Sequence, residues 1–245
     1  MRAIRKTKGY CPCCKKNTAF VAEDYWLRDY YKCQKCGSIP RNRALSHVIS
    51  KIYPNIGDLK IHESSPSRST LERRSAECRE YTYSYFYEDM PLGKKLENSN
   101  ASNQNLEKMT FADNSFDVFI TEDVMEHIYD PVKALREIYR VLKHGGGYIF
   151  TVPIYRFQKT RPRVAFDRNG WINVLPPIYH GNPISKDGSL VTYDWGDDIA
   201  EFIDTRTKFR TEIFQFPHTK ENYEMGLEAD FLEVVISKKI ENGTE

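Results

Sequence analysis

Residues 116 to 152 limit what this chain can fold into more than any other segment. Phe116 to Thr121 (FDVFIT) is a short apolar run of the kind a strand buried on both faces requires. Asp130 and Pro131 then supply an N-cap acid and a first-turn proline, two start signals for a helix. Leu135, Ile138, Tyr139 and Leu142 recur at i, i+3, i+4 and i+7, which draws one apolar stripe along that helix. His144-Gly145-Gly146-Gly147 closes it in the manner of a glycine C-cap, and Tyr148 to Val152 (YIFTV) is the next strand. Strand, helix and strand in this spacing predict a right-handed crossover between parallel strands.

The flanking text extends the same alternation. Ala44 to Tyr53 reads as a short helix ended by Pro54. Leu59 to His62 is a strand, Pro66 to Arg79 a helix with few apolar anchors, and Tyr81 to Tyr87 an aromatic strand. Glu97 to Gln104 reads as a polar loop, and residues 154 to 193 as an irregular insertion, with five prolines counted from Pro153 to Pro183 inclusive. Asp194 to Thr205 looks helical, and Thr211 to Phe216 and Phe231 to Ser237 look like two final strands. The expected class is α/β with a doubly wound, mainly parallel sheet ended by a strand pair.

Five of the six cysteines fall within the first 36 residues, a distribution that favours a metal over disulfides in a reducing compartment. Cys11-Pro12-Cys13-Cys14 and Cys33-Gln34-Lys35-Cys36-Gly37 form a CxxC pair of knuckles with the spacing of a structural zinc site. Cys11, Cys14, Cys33 and Cys36 are the expected ligands. Cys13 could stand in for either neighbour, but only the outer pair has two intervening residues; disulfides or a labile cluster are the remaining readings. Cys78 is most simply a core thiol. Residues 1 to 45 form the expected zinc ribbon and residues 46 to 240 the main domain. The ribbon holds 11 Lys and Arg against 3 Asp and Glu, so a basic module joins a mildly acidic body although the net charge is only +2. No run approaches the roughly 20 apolar residues of a membrane helix and the N-terminus lacks a signal-peptide core, so the expected location is the cytosol.

In open parallel sheets ligands lie beyond the carboxyl ends of the strands, where strand order reverses. The segment after the first strand, His62-Glu63-Ser64-Ser65-Pro66, lacks the GxGxG turn. Its acid and two serines could form a tight loop over an amino acid cofactor, and an ordinary serine-capped loop is the alternative.

The run from Asn105 to Pro153 resembles the type-11 group of class I methyltransferases across some fifty residues, with several linked motifs. That resemblance implies a Rossmann-like seven-stranded fold and S-adenosylmethionine as cofactor. It places Asn105 where the group has an aspartate that contacts the adenine amino group, Leu106 beside the ring, and Thr121 and Glu122 along the methionine side. The wider chain also looks like a subgroup with a cysteine-rich ribbon before the domain. Cys33 to Arg43 (CQKCGSIPRNR), the HESSP loop, Tyr179 to Pro183 (YHGNP) and Gly188 to Trp195 (GSLVTYDW) carry that likeness. It implies that Glu63, Ser64 and Ser65 form the cofactor loop, with Glu63 facing the cofactor's ammonium group.

His180 is the best candidate for a general base, since imidazole titrates near neutrality, with a structural hydrogen bond as its other reading. Glu126-His127 reads first as a capping or packing pair, and Arg73-Arg74 as a solvated helix face. The expected activity is methyl transfer to a hydroxyl or amine of a small molecule, a sugar or other biosynthetic intermediate, held under residues 154 to 193. The alternatives are an RNA methyltransferase that grips phosphates with its basic ribbon, and a non-catalytic binding protein on a degenerate methyltransferase fold.

Overall fold

A computed structural model describes residues 3 to 240 except 98, 169, 183 and 184; Pro183 of the YHGNP motif therefore lies outside the described residues. The chain opens with strands β1 (Arg5–Cys11) and β2 (Lys16–Ala22), a single-turn helix α1 (Leu27–Tyr30) and the short strand β3 (Lys32–Cys33). These strands make a three-stranded antiparallel sheet in the order β1-β2-β3. Helix α2 (Pro40–Ile52) follows, with proline in its first turn. It starts earlier than Ala44 and runs across residue 45, so the expected domain boundary falls inside a helix.

The body contains β4 (Lys60–Ser64), α3 (Arg68–Glu77), β5 (Glu80–Tyr85), β6 (Ala101–Asn103), β7 (Phe116–Glu122), a 3-10 turn at Met125–His127, α4 (Pro131–Val141) and β8 (Leu142–Thr151). Strand β6 lies within the stretch expected to be a loop. Seven short strands fill the insertion: β9 (Ile154–Tyr155), β10 (Arg161–Pro162), β11 (Val164–Asp167), β12 (Gly170–Asn173), β13 (Tyr179–Asn182), β14 (Ser185–Leu190) and β15 (Tyr193–Gly196). The chain ends in α5 (Ile199–Arg206), β16 (Phe209–Phe214), α6 (Lys220–Glu224) and β17 (Val234–Lys239). The expected helix at Asp194 thus begins only at Ile199, because residues 193 to 196 pair with β9 and β10.

The central sheet has the order β16-β17-β8-β7-β4-β5-β6, parallel except for β17, which runs antiparallel to both β8 and β16. This is the doubly wound sheet the sequence predicts, with its order reversing between β4 and β7. Side chains of β7 serve both faces, with the register shift between Phe116 and Val118 turning Phe116 to the side of Phe119. Phe116 and Phe119 join a core with Leu135 and Ile138 of α4 and Ile199 and Ile203 of α5. Val118 and Ile120 pack on the opposite side with Ala44, Leu45, Val48 and Ile49 of α2. Asp130 caps α4 as predicted, its carboxylate accepting the Lys133 amide at 3.0 Å.

The glycine run does not cap α4. That helix ends at Val141, Leu142 is already extended, and the glycines lie in β8 as a bulge, where pairing with β7 jumps from Phe116–Leu142 to Val118–Gly147. Gly145 takes a φ of +76°, and a side chain at Gly146 would meet the carbonyls of Lys143 and Asp117 at 2.8 and 2.9 Å.

The insertion is folded ribbon. Pairs β11–β12 and β13–β14 are hairpins, and β15 joins β9 to β10. Thr192 pins it to the body: its amide donates to the Glu126 carbonyl at 2.7 Å and its hydroxyl to the Ile128 carbonyl at 2.6 Å. Among the described residues no helix is long and apolar enough to cross a membrane.

Candidate functional site

Two groups of side chains stand out, one in the ribbon and one at the carboxyl edge of the sheet. In the ribbon, the sulfurs of Cys11, Cys14, Cys33 and Cys36 all lie within 4.8 Å of one another. Cys11 and Cys36 are 3.8 Å apart and Cys14 and Cys33 3.9 Å. A tetrahedron of sulfurs at the 2.3 Å zinc–sulfur distance has edges of about 3.8 Å, so the donor set fits a four-thiolate metal centre. Cys13 stands outside this group and contacts the Ser46 hydroxyl at 3.2 Å. Buried Cys78 belongs to the core under α2, as expected.

At the switch point, β4 lies beside β7 with Glu63 opposite Ile120 and Ser64 opposite Thr121. Ser65 follows with φ +54°, the left-handed conformation that glycine supplies in a GxG turn, and its amide donates to the Ser84 carbonyl at 2.8 Å. Glu63 is not in this loop. It is the fourth residue of β4, fully buried, and accepts hydrogen bonds from Arg74 and from the Tyr81 hydroxyl at 2.8 Å. His62 is a neutral core residue, bonded to Thr82 and Ser84 and packed on three phenylalanines. Burial pushes its imidazole down to about 3.

Glu122 ends β7 beside this pair. Its carboxylate accepts from Asn42 of α2 and from Arg74 at 3.4 Å. Burial pushes its carboxyl up to about 7, although Arg74 holds against the shift. The next residue, Asp123, accepts from Arg28 and Thr151 and lies 3.4 Å from Arg41. Burial there is outweighed by Arg41 and Arg28, which hold its carboxyl at about 2. Asn42 has a double role, since its other amide atom accepts the Ile39 backbone N–H at the start of α2.

Arg74 is therefore no solvated helix residue. It is 1% exposed and bridges two strand-end carboxylates. Its neighbours Ser75 and Ala76 lie on the outside, whereas Arg74 turns in toward the strand-end carboxylates, which the local text does not reveal. Arg28, Arg41 and Asn42 were equally unreadable as site residues, because they reach the edge only through docking of the ribbon. Arg73 is half-buried and donates to Ser46 at 2.7 Å.

Thr121 and Leu106 face the packed interior: the Thr121 hydroxyl bonds the Tyr148 hydroxyl at 2.7 Å, and Leu106 joins the core beneath α4. Asn105 closes an Asx turn beyond β6, accepting the Glu107 amide at 2.8 Å. It shares the carboxyl edge with Ser64 but lies two strands away, about 10 Å at ordinary strand spacing.

The 3-10 turn after β7 completes the edge. Buried Glu126 faces His127 and His180, which comes from β13 in the insertion, at 3.9 and 3.8 Å. β13 thus brings His180 beside Glu126 and His127.

The sheet order matches solved structures. An S-adenosylmethionine dependent methyltransferase from Mesorhizobium loti superposes with a TM-score of 0.52 and 17% identity, covering 81% of this chain and 99% of its own. The Burkholderia thailandensis 1,6-didemethyltoxoflavin-N1-methyltransferase, solved with S-adenosylhomocysteine, gives 0.52 at 11% identity over 82% of this chain and 79% of its own. The fold is that of the Rossmann-like methyltransferases. Residues 70–150 match the model of a methyltransferase domain. In sequence, 93 residues are 34% identical to the ubiquinone/menaquinone biosynthesis C-methyltransferase of Klebsiella pneumoniae, 36% of this chain and 34% of that protein. The chain thus spans about a third of the length of that curated relative. Within this methyltransferase fold, the ribbon and the β9–β15 insertion flank the edge where ligands bind.

Proposed function

We propose that this chain is an S-adenosylmethionine-dependent methyltransferase acting on a hydroxyl or amine of a small molecule, such as a sugar or biosynthetic intermediate. The observation that carries the reading is the switch point between β4 and β7. There a left-handed Ser65 takes the place of a turn glycine beside a carboxylate-rich edge. Glu63, Glu122 and Asp123 stand against Arg28, Arg41 and Arg74, and Glu63 keeps one buried oxygen without a partner. S-adenosylmethionine carries a sulfonium and an ammonium, so the donor set suits it. Ser64 and Ser65 would hold its amino acid end and the Asn105 turn its adenine. The cofactor brings a methyl group already activated for displacement, and the protein's part is to align the acceptor and take its proton. The insertion pinned over Glu126 supplies a wall for a small acceptor.

The ribbon's charge favours the small-molecule reading over RNA. Arg5, Lys15, Arg28 and Arg41 pair with Glu228, Glu77 and Asp123 of the body, and Arg43 is buried, so part of the basic excess serves docking.

Calorimetric titration tests the cofactor reading. Wild-type protein is expected to bind S-adenosylmethionine and S-adenosylhomocysteine. Ser65→Gly should bind at least as well, whereas Ser65→Val should lose about tenfold or more, because a β-branched residue is strained at positive φ. Absence of binding to folded wild-type protein would refute the proposal.

We also infer that the four cysteines hold one structural zinc ion. Its closed thiolate shell leaves no position for substrate, so it folds the ribbon and takes no part in transfer. Purified protein is expected to contain one zinc per chain. A strong chelator, or Cys33→Ser, should remove it and lose the near-ultraviolet dichroism of the ribbon, whereas Cys13→Ala should retain it. Zinc-free protein with an intact ribbon would disprove the assignment.

A further inference from the structure

We propose that Glu126, His127 and His180 form a second, open metal site that takes a divalent transition ion. Glu126 is 1% exposed, yet neither of its carboxylate oxygens has a hydrogen-bond partner. An unpaired buried carboxylate is costly, and one facing two imidazoles asks for a cation between them. One ligand atom from each of the three residues lies within 4.8 Å of the other two. A point equidistant from three atoms 3.8 to 4.8 Å apart is about 2.2–2.8 Å from each. Zinc–imidazole and zinc–carboxylate bonds are about 2.0–2.2 Å, so adjustments of a few tenths of an ångström close the shell.

The hydrogen-bond pattern points the same way. The Nδ1 of His127 lies 2.8 Å from the Leu190 carbonyl, which can only accept, so Nδ1 carries the proton. In the neutral ring Nε2 is then a lone pair, and it faces Glu126 Oε1 at 3.9 Å. Two acceptors turned toward each other repel unless a cation sits between them. A histidine whose far nitrogen donates to a carbonyl is also how metal-bound imidazoles are oriented. The His180 ring packs edge-on against His127 with centroids 5.2 Å apart, which fixes its approach.

Two imidazoles and one carboxylate suit zinc, manganese, iron or cobalt better than magnesium or calcium. Three protein ligands leave positions open, and both histidines are partly exposed, so a water or an acceptor oxygen completes the coordination. A cation there would lower the pKa of a bound hydroxyl, and His180 would act as a ligand in place of its expected role as base. The site requires β13, so it exists only when the insertion is folded against the turn at Met125–His127.

Cobalt(II) is the probe, added to protein whose thiolate site is already filled with zinc. Wild-type protein is expected to bind one equivalent by calorimetry, with visible absorption but no sulfur-to-metal charge-transfer band. Glu126→Gln and His180→Ala should each weaken that binding by more than about tenfold. Glu126→Gln also neutralises the unpaired carboxylate, so it should keep or raise the melting temperature, which separates lost ligation from lost folding. No cobalt outside the thiolate site, or unchanged binding in both folded variants, would overturn the proposal. The readout needs no methyl donor, so a chain that binds cobalt but no S-adenosylmethionine keeps this site and loses the transfer reading.

Discussion

Arg43→Met is expected to destabilise the protein by about 3–4 kcal/mol and lower its melting temperature by about 10 °C. The side chain is fully buried where ribbon meets body. Its guanidinium donates to the carbonyls of Ser38 and Tyr31 on one side and of Met225 and Gly226 on the other, and lies 4.5 Å from the Phe20 ring. Methionine matches the length and restores none of these donors. Removing the charge relieves its desolvation, which favours the variant. Three carbonyls are left without partners, however, since that of Ser38 still accepts the Cys33 amide at 2.9 Å, and each unsatisfied buried group costs about 1–3 kcal/mol. That loss outweighs the relief. For a chain of this size 1 kcal/mol moves the midpoint by about 2–4 °C. Thermal unfolding followed by circular dichroism measures the shift; a change below about 1 kcal/mol would mean that the ribbon docks by other contacts. Arg43→Lys should fall well short of rescue, because one ammonium cannot reach carbonyls on both sides.

Strand β7, helix α4 and the four-cysteine group were legible because each is a local pattern: an apolar run, a 3.6-residue stripe with its N-cap, and a ligand spacing. The reversal of the sheet at β4 followed from the alternation of strands and helices. The glycine run misled, since the same residues that end helices also relieve crowding in a bulge, here where Gly146 passes the Lys143 and Asp117 carbonyls. The insertion looked irregular because its strands are only two to six residues long and prolines are scattered along it. Arg28 was read only as positive charge, Arg41 and Arg43 as part of the CQKCGSIPRNR likeness, and Arg74 as a solvated helix face. Which of them would be buried depended on α2 lying against α3 and the sheet, a contact with no trace in the spacing of the arginines. Glu126 is similar: its neighbours in sequence suggest a cap, and only the arrival of His180 from β13 gives it a chemical setting.

Arg74→Met should produce a strongly pH-dependent loss, about 3–5 kcal/mol at pH 8 and far less at pH 5. Among the described residues Arg74 is the guanidinium within ion-pair distance of both Glu63 and Glu122, and removing one partner of a buried pair leaves uncompensated charge at about that cost. In the wild type, burial already raises the Glu122 carboxyl to about 7 in spite of Arg74. The unfolded value is about 4.3, so between these limits the folded chain binds more protons than the unfolded one. This group therefore makes stability fall as pH rises from about 4.3 through 7. Without the arginine the Glu122 carboxyl shifts higher, and the fall becomes deeper and continues to higher pH. Asp123 moves in the opposite sense, since its carboxyl is held at about 2 and its contribution is lost only as pH falls below about 4, outside this window. Urea unfolding at pH 5 and pH 8 separates the two cases. Adding Glu63→Gln and Glu122→Gln to the variant should remove most of its pH dependence, because no carboxylate then needs a counter-ion. An equal loss at both pH values, or a triple variant as pH-sensitive as the single one, would show that Arg74 acts through packing and not through the two carboxylates at the switch point.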